Sequence, residues 1–347
     1  MKDTSVISVV TPIYNGAPFI KDAYDCLCRQ SYNRWEWVVV DDGSTDETQE
    51  QMREIGKNDK RISYTHQHNS GAAKLPRDRA VYQAKGSFIL PLDIDDLIDD
   101  SYLEQMFSRM QETSADIVYP KMVFIDKPSG NVTKILPVAN FDTSQVYEGR
   151  QLVKETMPDW NIGCNGGLYR KQVWSNLLYW PEEHEPIWVY SDEVDERHYL
   201  LQAKRVAFAN ACYFYQNHDQ SITHQVSAKR FHILKTNGQL LELAKEEFGR
   251  HSEEYRRANL KVFYGWRSMM AYYLKHHHKL TDADGQIQID LQKTFNSIDP
   301  TMLSRKERLK FLNLTNGRLL QILFAIKYRP SWLLEKLMQR LSTNYHR

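Results

Sequence analysis

The chain has 347 residues, of which 41% are hydrophobic and 26% are charged, and its net charge at pH 7 is +1. This length gives room for about two domains, and the composition is that of an ordinary globular protein. No apolar run reaches the ~20 residues of a membrane-spanning helix, and the four scattered cysteines are too few for a disulfide framework. We therefore expect a protein of the cytoplasm.

Strand and helix signals alternate in the first part of the chain. Short apolar runs, often β-branched, predict strands, and helical periodicity fills the segments between them. The strands are expected at 6–10, 35–40, 61–65 and 87–92, and the helices at 17–31, 44–55 and 73–85. Ser44 and Ser101 are each followed three residues later by Glu, a capping-box pattern that predicts a helix start. The alternation predicts an α/β fold with a mostly parallel central sheet covered on both faces.

The pattern changes after residue 116. Short strands are expected at 116–119, 122–125, 166–169 and 205–208, with a helix over 195–203. Beyond residue 227 nearly all signals are helical, and helices are expected over 229–248, 253–278 and 304–326. We place a domain boundary near residue 225, which gives an α/β domain over 1–225 and an α-helical C-terminal region over 226–347.

Aspartates follow two of the predicted strands at the point where each strand ends. Asp41 and Asp42 follow the second strand, and Asp93, Asp95 and Asp96 follow the fourth. The carboxyl ends of parallel strands meet at one edge of an open sheet, where ligands bind. Because like charges this close repel unless a cation joins them, the pattern predicts Mg²⁺ or Mn²⁺ together with a phosphorylated ligand. The alternative is a solvated acidic loop and, for the first pair, a turn with a helix cap.

Three short motifs occur in order, at spacings of about thirty and fifty residues: Val-Val-Thr-Pro-Ile-Tyr-Asn at 9–15, Val-Val-Val-Asp-Asp-Gly-Ser at 38–44 and Leu-Asp-Ile-Asp-Asp at 92–96. Together they resemble the family 2 glycosyltransferases, which have a GT-A fold, over about residues 5–225. The resemblance implies a nucleotide-sugar donor, usually uridine-linked, and an inverting transfer of the sugar to a hydroxyl. The implied acceptor is a glycan or lipid-linked glycan of a surface polysaccharide, and the implied cofactor is Mn²⁺ or Mg²⁺.

The resemblance also implies roles for residues on the donor side. These are Pro12 and Tyr14 in the turn against the base, Asp42 at the base edge with Ser44 beside it, Arg77 facing the phosphates, Asp93 at the ribose, and Asp95 and His218 at the metal. A uracil ring N–H needs an acceptor, which a carboxylate supplies. For His218 the alternative is a solvated loop side chain.

The sequence departs from the family pattern near the arginine of the third helix. Asp78 and Ala80 stand where Asn and Gly are usual. Gly71 also lies one residue further from Arg77 than in most of the family. These departures concern the loop that would face the donor phosphates.

An acidic pair near the start of a predicted helix resembles the element that carries the family's catalytic base. Asp192 takes the base position and Glu193 follows it, and an inverting transfer needs one carboxylate to accept the proton of the attacking hydroxyl. The alternative is that both are helix-start acids favoured by the helix dipole. Trp160, Asn165 and Gly166 fall where the family lines its acceptor pocket. The indole of Trp160 could stack on a sugar face or belong to the core.

The last part of the chain is strongly basic. Residues 301–347 contain ten Lys/Arg and two Asp/Glu, a local net charge of +8. An apolar run at 319–326 is followed, after Pro330, by apolar residues at three- and four-residue spacing over 332–341. This pattern is typical of an amphipathic helix on an anionic membrane surface, which would place the protein at the inner face of the cell membrane. The alternative is that the apolar stripe packs on the catalytic domain.

Two other functional classes are alternatives to a glycosyltransferase. A nucleotidyltransferase would need a Gly-rich basic loop after the first strand, and Asn15-Gly-Ala-Pro18 lacks that character. The second class is a non-catalytic nucleotide-binding or scaffold protein that uses the basic tail. No recognisable nucleic-acid-binding motif is present, so we expect no nucleic-acid partner.

Overall fold

The computed structural model describes residues 6–136, 142–157, 166–178, 190–217, 226–282, 285–308 and 310. By its internal contacts the chain divides into two compact units, residues 1–224 and 225–347. All of the described strands belong to the first unit, and the described part of the second unit is helical.

The first unit is built on a mixed sheet that has ten strands within the described residues. The strands are β1 (Ile7–Ile13), β2 (Trp35–Asp41), β3 (Ile62–His66), β4 (Phe88–Pro91), β5 (Leu97–Ile98), β6 (Ile117–Asp126), β7 (Asn131–Leu136), β8 (Val146–Tyr147), β9 (Leu168–Arg170) and β10 (Val206–Asn217). Their order across the sheet is β3-β2-β1-β4-β9-β6-β10-β5, while β7 pairs with β6 and β8 pairs with β10.

The first four strands form the parallel part of this sheet. β1 pairs in parallel with β2 and β4, and its register with β2 runs from Ile7 opposite Trp35 to Ile13 opposite Asp41. All seven residues of β1 are buried, and because strand residues alternate between faces, both faces of β1 are covered. The helices of this unit are α1 (Ala17–Cys28), α2 (Thr48–Asn58), α3 (Lys74–Gln83), α4 (Tyr102–Thr113), α5 (Gly149–Thr156), α6 (Lys171–Ser175) and α7 (Asp192–Gln202).

One long strand replaces two predicted ones. β6 runs through Pro120, where the sequence suggested a break between strands at 116–119 and 122–125. Pro120 lacks an N–H, but it lies between the stretch of β6 that pairs with β9 and the stretch that pairs with β7. On the other side, β10 has an irregularity between Phe208 and Cys212 at this point. The missing donor therefore falls in a gap of the hydrogen-bond ladder, as proline in a sheet requires.

Only one of the two predicted capping boxes marks a helix start. α4 begins directly after Ser101, although the Ser101 hydroxyl donates to Asp99 Oδ1 over 2.9 Å and does not cap the helix. The prediction at Ser44 is wrong, since α2 begins at Thr48. The Ser44 hydroxyl accepts the backbone N–H of Asn15 over 2.8 Å. A tertiary hydrogen bond has therefore replaced the local cap.

The described part of the second unit is a set of helices around an apolar core. They are α8 (His232–Phe248), α9 (Glu253–His276) and α10 (Gln286–Ser297), with short 3₁₀ turns at Ala228–Phe231, His277–Lys279 and Pro300–Met302. Leu240 and Phe263 are fully buried, and the indole N–H of Trp266 donates to the Leu291 carbonyl over 2.9 Å. α10 has no counterpart among the predicted helices, and most of the predicted helix over 304–326 lies outside the described residues. Among the helices described, none is long and apolar enough to cross a membrane.

Candidate active site

The loops after β1 and β2 are tied together at the carboxyl edge of the sheet. Asn15 has a left-handed backbone with φ 50°, and its side-chain oxygen accepts the N–H of Thr45 over 2.8 Å. The Gly16 N–H donates to Thr48 Oγ1 over 3.0 Å, in addition to the bond between Asn15 and Ser44. These bonds join the first two sequence motifs into one connected platform.

The two residues expected against the base differ in exposure. Tyr14 follows β1 and is 55% exposed, so its ring has the accessible surface that stacking on a planar ligand needs. Pro12 is buried within β1, opposite Val40 of β2. Of the two, Tyr14 presents the large exposed surface, while Pro12 shapes the end of the strand.

Asp41 is a fully buried carboxylate at the end of β2. It accepts the Ser44 N–H over 2.8 Å and the Tyr64 hydroxyl over 2.5 Å, and it lies 3.1 Å from His66 Nδ1. Burial alone would raise the pKa of Asp41, but hydrogen bonds from these partners outweigh it and hold the pKa below its ordinary value. Asp41 is therefore an anion that orients the turn after β2.

Asp42, the residue expected to recognise the base, is 5% exposed. Its Oδ1 accepts Gln67 Nε2 over 2.6 Å, and its Oδ2 accepts Ser70 Oγ over 2.9 Å. Gln67 is fixed in turn by Arg79, whose guanidinium donates to Gln67 Oε1 over 2.8 Å. Gln67 and Ser70 are site residues that the three motifs did not reveal. Their position directly after β3, at the same edge as the other motifs, was the available signal.

Arg77 lies on α3 and reaches the loop that follows β4. Its Nη2 donates to Asp93 Oδ1 over 2.8 Å, and the two side chains are 16% and 28% exposed. A guanidinium held by a carboxylate keeps its charge and its planar set of donors. The pair therefore places a cation beside the third motif.

Asp96 anchors the loop of the third motif to β10. It is 1% exposed, and its oxygens accept the Tyr213 hydroxyl over 2.6 Å and the Gln216 N–H over 2.9 Å. Burial, followed by the charges of Asp93 and Asp95, raises the pKa of Asp96 well above its ordinary value. Of the three aspartates, Asp96 is thus the one whose carboxyl group stabilises the fold by binding β10.

The donor set of this loop fits a divalent ion only in part. Asp93 and Asp95 are partly exposed, and one or two carboxylates completed by substrate phosphates are a common ligand set for Mg²⁺. Both oxygens of Asp96 are already used by protein donors. Within the described residues, no group of three or more His, Cys, Asp or Glu side chains is arranged to hold an ion. The loop therefore suits an ion that is shared with a diphosphate.

Gly166 is held against the end of β4. Its N–H donates to the Pro91 carbonyl over 3.0 Å, and its carbonyl accepts the Tyr102 hydroxyl over 2.5 Å. Its φ is +77°, and a Cβ at this position would lie 2.2 Å from a ring atom of Tyr213, so no larger residue fits. The other predicted acceptor and metal residues, Trp160, Asn165 and His218, lie outside the described residues.

An open pocket with an empty volume of about 350 Å³ lies beside the end of β4, lined by residues of α3, α6 and α7. Asp192 is the first residue of α7 and is exposed. Arg77, from the predicted donor side, and Asp192, the predicted base, both line this pocket. Glu193 is half-buried and is not among the lining residues. The fold thus brings a phosphate-binding type of cation and an accessible carboxylate to one cavity.

Two ionisable groups at this pocket, one half-buried and one buried, were not expected from the sequence. Lys74 Nζ lies 3.1 Å from Asp78 and 3.2 Å from Asp195. Glu196 also lines the pocket and is 3% exposed. Asp195 and Glu196 follow Asp192 at three- and four-residue spacing, which puts them on one helix face. That spacing was the signal available in the sequence.

The Glu196 carboxyl is enclosed by tyrosines. The Tyr169 hydroxyl lies 2.9 Å from each of its oxygens, and the Tyr119 hydroxyl donates to the same group. Burial raises the pKa of Glu196 to about 8, against the lowering effect of these hydrogen bonds. At neutral pH, Glu196 is therefore mostly protonated and adds little negative charge to the pocket.

A family model and several curated proteins match parts of the chain. The model of the family described as Glycosyl transferase family 2 matches residues 8–175. Glycosyltransferase GlyG of Streptococcus pneumoniae is 25% identical over 226 residues, which are 63% of this chain and 73% of GlyG. Two further curated relatives are matched over only 33% and 43% of their own length, so the chain spans less than half of each.

Solved structures share the fold. S. aureus TarS 1-349 in complex with UDP-GlcNAc has a TM-score of 0.58 and 19% identity, covering 85% of this chain and 82% of that one. Mannosyltransferase PcManGT from Pyrobaculum calidifontis in complex with GDP-Man and Mn²⁺ has a TM-score of 0.50 and 15% identity, covering 88% of this chain and 83% of that one. These similarities confirm the predicted GT-A type α/β fold followed by a helical region. Since the family match also spans all three motifs, residues 8–175 of the chain belong to glycosyl transferase family 2.

Proposed function

We propose that this glycosyltransferase is inverting and metal-dependent, and that it moves a sugar from a UDP-linked donor to a hydroxyl of a glycan acceptor. The observation that carries the proposal is the pocket shared by Arg77 and Asp192. A leaving diphosphate needs positive charge, and an attacking hydroxyl needs a proton acceptor. Both groups come to one cavity from helices that are far apart in sequence.

The donor side is built from the first two motifs. The exposed ring of Tyr14 would stack on the base, and the Asp42 carboxylate, oriented by Gln67 and Ser70, would accept the uracil N–H. Ser44 and Pro12 would shape the turn around them. A uridine donor is further supported by TarS, which was solved with UDP-GlcNAc.

The reaction follows from the positions of the charged groups. Asp192 takes the proton of the acceptor hydroxyl, and the hydroxyl oxygen attacks the anomeric carbon from the side opposite the diphosphate. The bond between that carbon and the diphosphate oxygen breaks, and the leaving oxygen keeps the electron pair. One displacement inverts the configuration at the carbon. Arg77 provides positive charge near the leaving group, and Asp93 orients Arg77 and would bind the ribose.

A divalent ion is proposed as the cofactor. Asp95 would hold it together with the diphosphate, and His218 is the further ligand that the family resemblance implies. When bound, Mn²⁺ or Mg²⁺ stabilises the charge that develops on the leaving diphosphate. PcManGT, solved with Mn²⁺, supports this assignment.

The acceptor is proposed to be a glycan or lipid-linked glycan of a surface polysaccharide, bound near Gly166 with Trp160 and Asn165. A membrane-linked acceptor would agree with the basic, amphipathic tail, and would place the enzyme at the inner face of the cell membrane. The competing assignment is a non-catalytic nucleotide-binding or scaffold protein. That protein would bind nucleotide through the same platform but would not turn it over.

A thermal-stability measurement followed by a hydrolysis screen tests these assignments. We expect UDP with Mn²⁺ to raise the melting temperature more than either alone, because an ion shared by Asp95 and the diphosphate couples the two ligands. The variant Asp95→Ala should lose the synergy but keep its fold, since Asp95 lies in a partly exposed turn. Donor hydrolysis is then screened over UDP- and GDP-linked sugars. Synergy between UDP and Mn²⁺ without any hydrolysis or transfer would favour the non-catalytic protein. If GDP with Mn²⁺ shows the synergy and UDP with Mn²⁺ does not, the uridine assignment is wrong.

A further inference from the structure

The half-buried ammonium of Lys74 connects the two helices that carry the proposed donor cation and the proposed base. Lys74 is the first residue of α3, and its Nζ lies 3.1 Å from Asp78 on the same helix. The same Nζ lies 3.2 Å from Asp195 on α7. The Lys74 side chain is only 14% exposed and that of Asp195 is 25% exposed.

The two helices present their functional side chains close to this link. Arg77 follows Lys74 by three residues on α3, and Asp192 precedes Asp195 by three residues on α7. Residues three apart on a helix lie on the same face, and Lys74, Arg77, Asp192 and Asp195 all line the same pocket. A displacement of α7 relative to α3 would therefore separate the base from the donor cation.

We propose that Lys74 is a positioning residue, which fixes the distance between Asp192 and the donor-binding side through its ion pair with Asp195. The inference rests on the proposed function. Lys74 is assigned no contact with the reacting atoms, and it acts through the placement of α7.

The chemistry of the cluster supports a role that only a cation can fill. Burial opposes the charge on Lys74, but the charges of Asp195 and Asp78 outweigh it and raise the pKa of Lys74. Asp78 is 2% exposed and also accepts the indole N–H of Trp174 over 2.9 Å. Removing one partner of a buried charge pair leaves the other uncompensated, which costs more than the pair contributes. Without Lys74, both carboxylates would therefore move toward water or toward another cation.

The cluster also accounts for a departure from the family pattern. Asp78 stands where the family usually has Asn, and a buried carboxylate at that position needs a positive partner that an amide does not need. Lys74 is that partner. The same ammonium also reaches Asp195, so the substitution on α3 is linked to the helix of the proposed base.

The test compares Lys74→Met with Lys74→Arg and with the matched control Lys171→Met. Lys171 is a half-buried lysine of α6 whose Nζ donates to the Ala84 carbonyl over 2.5 Å, and it does not line the pocket. We expect Lys74→Met to lower kcat for transfer by about 10- to 100-fold, the scale of a displaced reacting group. The Kd for UDP with Mn²⁺ should change less than about threefold, since α3 keeps Arg77. Lys74→Arg should recover most of the rate.

A double-mutant cycle tests the route through Asp195. If Lys74 acts by holding that residue, Lys74→Met combined with Asp195→Asn should be no slower than the slower single variant, since the second change removes nothing more. If the rate losses of the two single variants multiply in the double variant, the two residues act separately. Equal losses of kcat and UDP affinity in Lys74→Met would also overturn the proposal.

Hydrogen exchange gives a readout that does not depend on turnover. In the full-length Lys74→Met variant, amides of α7 over 194–202 should exchange at least about tenfold faster than in the wild type, because the helix loses its ion pair with α3. Amides of α4 should be unchanged. If the wild type turns over no nucleotide sugar, the proposed function is wrong, and the exchange data still decide whether Lys74 anchors α7. If the α7 amides of the variant exchange as slowly as those of the wild type, Lys74 does not anchor α7.

Discussion

Arg77 and Asp93 form an ion pair of 2.8 Å between α3 and the loop after β4. Both side chains are mostly covered, at 16% and 28% exposure, so solvent screens the pair less than it screens an open surface pair. The carboxylate holds the guanidinium at the edge of the pocket before any ligand arrives. Preorganisation of this kind lowers the entropy cost of binding an anion.

The first prediction concerns this arginine. Arg77→Ala should weaken binding of UDP by about 10- to 100-fold, the value of a hydrogen bond between charged groups. Arg77→Lys should recover only part of the loss, because an ammonium lacks the planar donor set. Calorimetric titration with UDP and Mn²⁺ measures both. Arg53→Ala, at an exposed arginine of α2, is the control, and an Arg77→Ala affinity equal to that of the control would remove Arg77 from the donor site.

The second prediction separates recognition from folding at Asp42. Asp42→Ala leaves the buried donors of Gln67 and Ser70 without their acceptor, which should lower the unfolding free energy by about 1–3 kcal/mol. If Asp42 also recognises the base, the Kd for UDP should rise more than the Kd for pyrophosphate. Gln67→Ala serves as the comparison, since it disturbs the network but keeps the carboxylate. Equal losses for both ligands would make Asp42 a purely structural group.

The parts of the fold that the sequence predicted are those decided locally. β1 and β2 are runs of buried, mostly β-branched residues that end in turn signals, and such runs form strands in many contexts. The two-residue strands β5 and β8 carry no such pattern, because each exists only through its pairing with β10. The Ser44 capping box failed for a related reason, since a tertiary acceptor role replaced the local one.

The same distinction between local and tertiary signals applies to the candidate site. Each of the three motifs is contiguous in sequence, so roles for Asp42, Asp93 and Asp95 could be proposed from the order of the motifs alone. The ion pair between Lys74 and Asp195 joins residues that are far apart in sequence, and it depends on how α3 and α7 meet. The packing of α3 against α7 cannot be predicted from periodicity or composition, because it is a property of the tertiary structure.

The third prediction is a pH dependence set by Glu196. Its pKa rises from 4.5 to about 8 in the fold, so between these values the unfolded chain loses a proton that the folded chain keeps. The unfolding free energy contributed by this group therefore falls as pH rises from about 4.5 to about 8, and is level above that. Glu196→Gln keeps acceptors for the tyrosines and removes the titration. The stability of this variant relative to wild type should grow by about 3–5 kcal/mol across that range.

Denaturant unfolding at several pH values measures this difference. Glu155→Gln, at an exposed position of α5, is the control and should leave the pH profile as in the wild type. A difference between the Glu196→Gln variant and wild type that stays constant from acid to alkaline pH would show that Glu196 is ionised in the folded protein at neutral pH.

The fourth prediction concerns the basic tail, most of which lies outside the described residues. Each Lys or Arg near an anionic leaflet contributes about 1 kcal/mol, and residues 301–347 have a net charge of +8. We expect the full-length protein to bind vesicles containing phosphatidylglycerol at low salt, and to be released at high salt. Vesicles of phosphatidylcholine alone are the control. Deletion of residues 317–347 should abolish binding while donor hydrolysis survives, and a full-length protein that ignores anionic vesicles would favour packing of the tail on the protein.

The last prediction concerns the base. Asp192 opens α7 and lines the pocket with Arg77, whereas the half-buried Glu193 does not line it. Asp192→Asn keeps the shape of the side chain and removes the proton acceptor, so kcat for transfer should fall by ~10²–10⁴, the usual scale for a general base. UDP affinity should stay within about threefold, because the donor site is untouched. Glu193→Gln should lose far less activity. If Glu193→Gln loses most of its activity and Asp192→Asn does not, the proton acceptor lies one residue further along α7.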